Sequence, residues 1–245
     1  MPYLVRHTAP AAPTVRLVCF PHAGGGASYF RGWSRHLAPS VELLAVQYPG
    51  RESRFTEPLV GELAPLAAGA HRELLAEPPL PTVLFGHSMG AMVAYETLLL
   101  LEASGAAHVT RLCASGRALD APPVGAAETT DAELIASVKA LGGTNAQVWD
   151  DPELSGLLLP IIRNDYRLID TYRRAPGTPP LRAEVLALSG DADPRITPEQ
   201  AALWATATTG PFSARVFEGG HFYLTEHAAD VARLAVAGLP GALHG

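Results

Sequence analysis

Lysine is nearly missing from this chain of 245 residues, where Lys139 stands alone against seventeen arginines. Charged residues make up only 17%, and the net charge is −6 with histidine neutral. A polyphosphate meets no long-range attraction here, which argues against a nucleic acid partner. Cysteine is almost as scarce. Its two copies, Cys19 and Cys113, sit inside the apolar runs Leu17-Val18-Cys19-Phe20 and Leu112-Cys113-Ala114, where a free thiol packs as a small hydrophobe. A small disulfide scaffold is excluded. Long hydrophobic runs are absent too: the longest leucine run, Leu98 to Leu101, falls far short of the roughly 20 apolar residues that span a bilayer. The opening segment, Met1 to Thr14, carries Arg6 and His7 among prolines and no apolar block of the kind a secretory signal needs. The expected address is cytoplasmic.

What the chain does have is apolar content. Hydrophobic residues reach 48% and the mean hydropathy is +0.13, values of a chain that buries a core, not of a disordered one. The length suits one large domain. Short runs rich in β-formers recur at Val15–Phe20, Val41–Tyr48, Thr82–Phe85, Val109–Ala114, Glu184–Ser189 and Ala214–Phe217. Helical stretches alternate with them, at about Ser28–Leu37, Leu59–Ala76, Met89–Ser104, Pro198–Thr206 and Glu226–Ala237. This alternation predicts an α/β fold, a mostly parallel sheet flanked by helices. About seventy residues between the strands at Val109 and Glu184 break it, far more than a connecting loop needs. Their interior reads as helices near Asp131–Leu141 and Pro152–Arg174. The expected division is a core of residues 1–118 and 183–245 with a helical lid insertion of residues 119–182.

The chemistry centres on Gly86-His87-Ser88-Met89-Gly90, which follows the strand Thr82–Phe85 and precedes a helix. Gly-x-Ser-x-Gly in that context is a nucleophile elbow, with Ser88 exposed on a sharp turn. The flanking glycines spare the turn a clash with its neighbours, and the helix N-terminus favours developing negative charge. A serine hydroxyl needs a base, and on this architecture the acid and then the histidine follow in chain order. His221, in Glu218-Gly219-Gly220-His221, comes just past the last strand on a flexible loop. His227 reads as solvent-facing on a helix, His244 as part of a terminus, and His87 as projecting away from the serine. For the acid, Asp193 lies on the loop after Glu184–Ser189. Asp191 is closer to the strand end and suits a brace for the turn, while Asp120, after the preceding strand, is a rival for the acid. The oxyanion donors expected are the backbone N–H groups of Met89 and of Ala23 in the loop Phe20-Pro21-His22-Ala23-Gly24-Gly25-Gly26, with Gly24 next. A phosphate-cradling reading of the triple glycine is weak, since neither Gly-x-Gly-x-x-Gly nor a Gly-Lys-Ser/Thr ending is present.

Taken together, Phe20-Pro21-His22-Ala23-Gly24-Gly25, Gln47-Tyr48-Pro49-Gly50-Arg51-Glu52, Gly86-His87-Ser88-Met89-Gly90, Arg163-Asn164-Asp165-Tyr166 and Gly219-Gly220-His221-Phe222 resemble the type II thioesterases, stand-alone α/β-hydrolases that accompany polyketide synthases and nonribosomal peptide synthetases. Asn164 departs from the pattern, where a small residue is expected. The resemblance implies an α/β-hydrolase fold and a substrate held as a thioester on the phosphopantetheine arm of a carrier protein. It implies hydrolysis of acyl groups that block those carriers. It leans toward a monomer. No metal or further cofactor is expected, because the substrate brings the pantetheine. Arg51, Arg54, Arg173 and Arg174 are candidates for a basic patch facing an acidic carrier. The same three side chains would also serve a general carboxylesterase or an acyltransferase, and a non-catalytic carrier-binding partner is a further alternative.

Overall fold

Six of the apolar runs form strands, and a seventh joins them ahead of the rest. The computed structural model describes residues 1–123, 125, 129–142 and 146–239, so His244 lies outside the described residues. The strands are β1 (Leu4–Arg6), β2 (Val15–Phe20), β3 (Val41–Val46), β4 (Thr82–His87), β5 (Val109–Ser115), β6 (Glu184–Gly190) and β7 (Phe212–Phe217). They lie side by side in the order β1-β3-β2-β4-β5-β6-β7, and β1 alone runs antiparallel to its neighbour. Every residue of β2, β3 and β4 is buried, as strands covered on both faces must be. Arg16 of β2 is tolerated there because its guanidinium meets Glu42 at 2.5 Å, Glu77 at 3.3 Å and the Pro78 carbonyl at 2.9 Å.

The helices are α1 (Leu63–Ala76), α2 (Met89–Ala103), α3 (Asp131–Leu141), α4 (Pro152–Thr171), α5 (Pro198–Ala202), α6 (Tyr223–Glu226) and α7 (Ala228–Val236). Ala27–His36, expected as an α-helix, is a 3-10 helix. The last helical stretch, expected as one piece, breaks at His227, whose backbone leaves helical geometry. Contrary to expectation His227 is half-buried, with Nε2–H donating to the Glu218 carbonyl at 3.0 Å and its ring against Phe217. One apolar layer joins α1 and α2 to the sheet and extends to Trp204. The other lies under the 3-10 helix, α6 and α7. The sheet therefore carries helices on both faces, the architecture expected.

Between β5 and β6 the chain adds α3, a 3-10 turn at Ala146–Trp149 and α4. Leu134, Val138, Trp149 and Ile162 form a small apolar cluster of their own there. Both helices begin on side-chain caps: Thr130 and Glu133 make a reciprocal capping box for α3, and the Asp151 carboxylate accepts the Glu153 and Leu154 N–H groups of α4. No helix among the described residues is long and apolar enough to cross a membrane.

Candidate active site

Ser88 closes β4 and caps α2 with φ 53° and ψ −116°, a conformation that costs a non-glycine residue on the order of 1–3 kcal/mol. The surrounding packing holds it there. Its N–H donates to the Ser115 carbonyl of β5 at 2.8 Å, and its two glycines leave no room for a side chain. A Cβ on Gly86 would run into the Gly90 backbone, and one on Gly90 into the Phe20 carbonyl of β2. Glycine at both positions lets α2 press against the sheet, so the serine stands at the helix N-terminus, whose N–H groups lack intrahelical acceptors.

His221 reaches the same cavity from the loop after β7. Its Nδ1–H donates to Asp193 at 2.8 Å (Oδ2) and 3.1 Å (Oδ1), which leaves Nε2 as an acceptor for a proton. Asp193 is itself braced, because Oδ1 also accepts the Arg195 N–H at 2.8 Å. Asp191 takes the bracing part expected of it and accepts the Gly219 N–H at 2.9 Å. A Cβ on Gly190 would strike the Gly219 and Gly220 carbonyls, so the loops carrying Asp193 and His221 pack backbone to backbone. Asp120 lies elsewhere: it is exposed and pairs with Arg174 at 3.4 Å. Among the described residues no hydrogen bond joins Ser88 Oγ to His221. Both line one cavity of about 280 Å³, together with Ala23, Met89 and Tyr166. Such catalytic hydrogen bonds commonly tighten only in the complex with substrate.

Two more imidazoles surround His221, and the sequence alone did not single them out for this. His87 does not point at Ser88, but its ring lies 4.9 Å from that of His221 and 6.1 Å from that of His22. Strand register carries the clue, for His87 of β4 is paired with Ser115 of β5. Ser115 Oγ is 2.9 Å from His87 Nδ1 and 2.6 Å from the Tyr223 hydroxyl. Burial pushes the His22 pKa down to about 3, aided by the nearby His221 and Arg51. Burial, with His221 and His22 close by, also holds His87 well below the ordinary histidine range. Both rings are neutral at working pH, so the cluster repels a charged His221 far less than two imidazolium ions would.

The glycine loop after β2 meets α4. Gly24, at φ +78°, donates its N–H to Asp165 Oδ2 at 2.8 Å. That donor is therefore committed, whereas the Ala23 N–H, like that of Met89, has no hydrogen-bond acceptor among the described residues. Asp165 is fully buried and also receives Arg51 Nη1 at 2.5 Å and Nη2 at 2.8 Å. Arg51 is thus not a docking residue. Nor is Arg54, 5% exposed and bonded to Glu57 and the Gln47 carbonyl. Of the four arginines expected at a rim, Arg174 is spent partly on Asp120, while Arg173 is exposed and bonds the nearby carbonyls of Asp170 and Tyr172. Asn164, the departure from the motif, donates to the Val60 carbonyl at 2.9 Å and ties α4 to the segment before α1.

A serine on a strained elbow, a histidine with a free Nε2, a buried carboxylate behind it and unpaired N–H groups nearby can together carry out acyl transfer through a covalent intermediate. Comparison with known proteins points the same way. Residues 15–237 match the family model of the thioesterase domain. The chain is 43% identical over 226 residues to the probable cadicidin biosynthesis thioesterase of Streptomyces griseus, covering 92% of this chain and 62% of that one. It is 42% identical over 230 residues to thioesterase PikA5 of Streptomyces venezuelae, covering 92% and 80%. The chain thus spans about three fifths of the first relative and four fifths of the second. Among solved structures, the type II thioesterase BorB from the borrelidin biosynthetic cluster superposes with a TM-score of 0.86 at 38% identity, covering 97% of this chain and 98% of that one.

Proposed function

The chain belongs to the thioesterase family, among the type II thioesterases built on an α/β-hydrolase fold, and on that premise we propose that it strips acyl groups from the phosphopantetheine arms of carrier proteins, clearing a polyketide or nonribosomal peptide assembly line. The observation that carries this reading is the Asp193–His221 pair at 2.8 Å facing the cavity that Ser88 lines. In the first half-reaction His221 Nε2 takes the Ser88 Oγ proton as Oγ bonds to the thioester carbonyl carbon. The C–S bond then breaks, and His221 returns the proton to sulfur, leaving a free carrier thiol and an acyl ester on Ser88. Water repeats the sequence: His221 takes its proton, its oxygen attacks the acyl carbon, and Ser88 Oγ leaves with the proton as the carboxylic acid departs. Asp193 holds the Nδ1 proton throughout. The N–H groups of Met89 and Ala23 receive the negative oxygen of each tetrahedral intermediate. No metal or cofactor is needed for these steps.

The insertion of residues 119–182 acts as the lid, since Leu141 of α3 and Tyr166 of α4 wall the cavity. The cavity they wall measures about 280 Å³, at the small end of ligand pockets. Carrier domains of such synthases are the partners, and the chain works as a monomer in the cytoplasm.

The test is steady-state hydrolysis of acyl-carrier thioesters beside matched oxygen esters. Ser88→Ala and His221→Ala should each lose about 10³-fold or more in kcat, Asp193→Asn nearly as much, and Asp120→Asn should stay near wild type. Collapse of Asp120→Asn with activity kept in Asp193→Asn would reverse the acid assignment. Equal turnover of the oxygen esters would point to a general esterase, and failure of a fluorophosphonate to label Ser88 in folded protein to a binding module.

A further inference from the structure

The lid helix does more than cover the cavity. One turn of α4 is joined to the loop that carries the Ala23 N–H, through two side chains three residues apart and so on one helix face. Asp165 accepts the Gly24 N–H at 2.8 Å while held by both terminal nitrogens of Arg51. Ile162 packs so closely that a Cβ on Gly24 would lie 2.5 Å from its Cγ1. Gly24 is the residue directly after Ala23; its bonded N–H and its φ of +78° fix the Ala23–Gly24 peptide, which shares the Ala23 Cα with the His22–Ala23 peptide that carries the Ala23 N–H. The Arg51 guanidinium also donates to the Gly25 carbonyl at 3.4 Å, so the loop is gripped at two successive residues by one ion pair whose halves come from α4 and from the turn after β3.

We propose that Asp165 is a positioning residue for catalysis: by binding the Gly24 N–H from the lid helix it aims the Ala23 N–H at the reacting oxygen, so the oxyanion site is complete only while α4 is seated. The inference rests on the hydrolase reading above and adds that lid and oxyanion loop form one mechanical unit. Small displacements matter here, because a donor shifted by about 1 Å loses much of its hold on the transition state. Acyl transfer is then coupled to closure. With α4 lifted, Ser88 and His221 remain together, but one of the two donors is no longer held in place.

The experiment compares wild type with Asp165→Asn and with the double variant Arg51→Met/Asp165→Leu. The double variant replaces the buried pair by apolar side chains of similar volume, a change that cores tolerate, yet it offers the Gly24 N–H no acceptor. Hydrolysis is measured on a small acyl-pantetheine substrate, alongside affinity for a boronic acid that mimics the tetrahedral adduct and for the product carboxylate. The double variant should lose about 10- to 100-fold in kcat, with KM and product affinity within about 2-fold of wild type, whereas Asp165→Asn, whose amide oxygen can still accept the Gly24 N–H, should keep more of the wild-type kcat than the double variant. Affinity for the boronic acid should fall in parallel with kcat. Wild-type kcat in the folded double variant would overturn the proposal, as would a loss confined to KM or boronic acid binding that stays unchanged while kcat drops. Ser88→Ala separates the two levels. If it hydrolyses the thioester as fast as wild type, the hydrolase reading falls and takes this inference with it; if it is inactive while the folded double variant is fully active, only the positioning role falls.

Discussion

At the scale of single residues, the imidazole cluster links chemistry to stability. His22 has a folded pKa of about 3 against an ordinary 6.5, caused first by burial and then by His221 and Arg51. A depressed histidine stabilises the fold fully above pH 6.5. As pH falls from there toward 3 the unfolded chain takes up a proton that the native state refuses, and stability declines. His87 is displaced in the same direction and adds to the slope. Urea unfolding across this range should therefore show wild-type stability dropping by about 1.4 kcal/mol per pH unit more than that of His22→Gln. Parallel curves would show that His22 does not couple folding to protons. That Ser88 and His221 line one cavity and that Asp193 meets His221 was legible in the sequence, because each residue is announced locally, by an elbow motif or by a loop at a strand end. The neutral rings around His221 were not, since their burial depends on how β4, β5 and the loop after β7 come together.

Among the elements, α2 shows how closely sequence dictates geometry. Gly90 is required because a side chain would collide with the Phe20 carbonyl of the adjacent strand, and backbone cannot step aside as a side-chain tip can. Gly90→Ala should cost about 1–3 kcal/mol of stability, read from a lower chemical denaturation midpoint, and should lower kcat as α2 and Ser88 shift together. A fully stable, fully active Gly90→Ala would contradict the tight approach. Strand β1 marks the opposite limit of legibility. Three residues among prolines carry no period, and the strand exists because Glu73 accepts the Tyr3 and Leu4 N–H groups at 2.6 and 2.9 Å and β3 offers it an edge. Arg51 failed for a related reason: its partner Asp165 lies 114 residues away, so no local pattern distinguishes a buried ion pair from a solvated charge.

Over the whole molecule, the sheet and its two helical layers enclose both thiols. Cys19 in β2 and Cys113 in β5 are buried and unpaired. Burial pushes the Cys113 thiol up to about 12 and lifts Cys19 well above its usual value, so neither supplies the thiolate that reacts. An aromatic disulfide reagent at pH 8 should label no thiol in the native protein and two after denaturation; rapid native labelling would reveal local opening of the central sheet. Each turnover proposed for this protein sets free a pantetheine thiol beside Ser88. Because the enzyme shows that arm no thiol of its own, it is closed to exchange: the released arm cannot draw the acyl chain onto a cysteine or lock itself to the enzyme as a mixed disulfide, and it leaves in the reduced form that the next loading step requires.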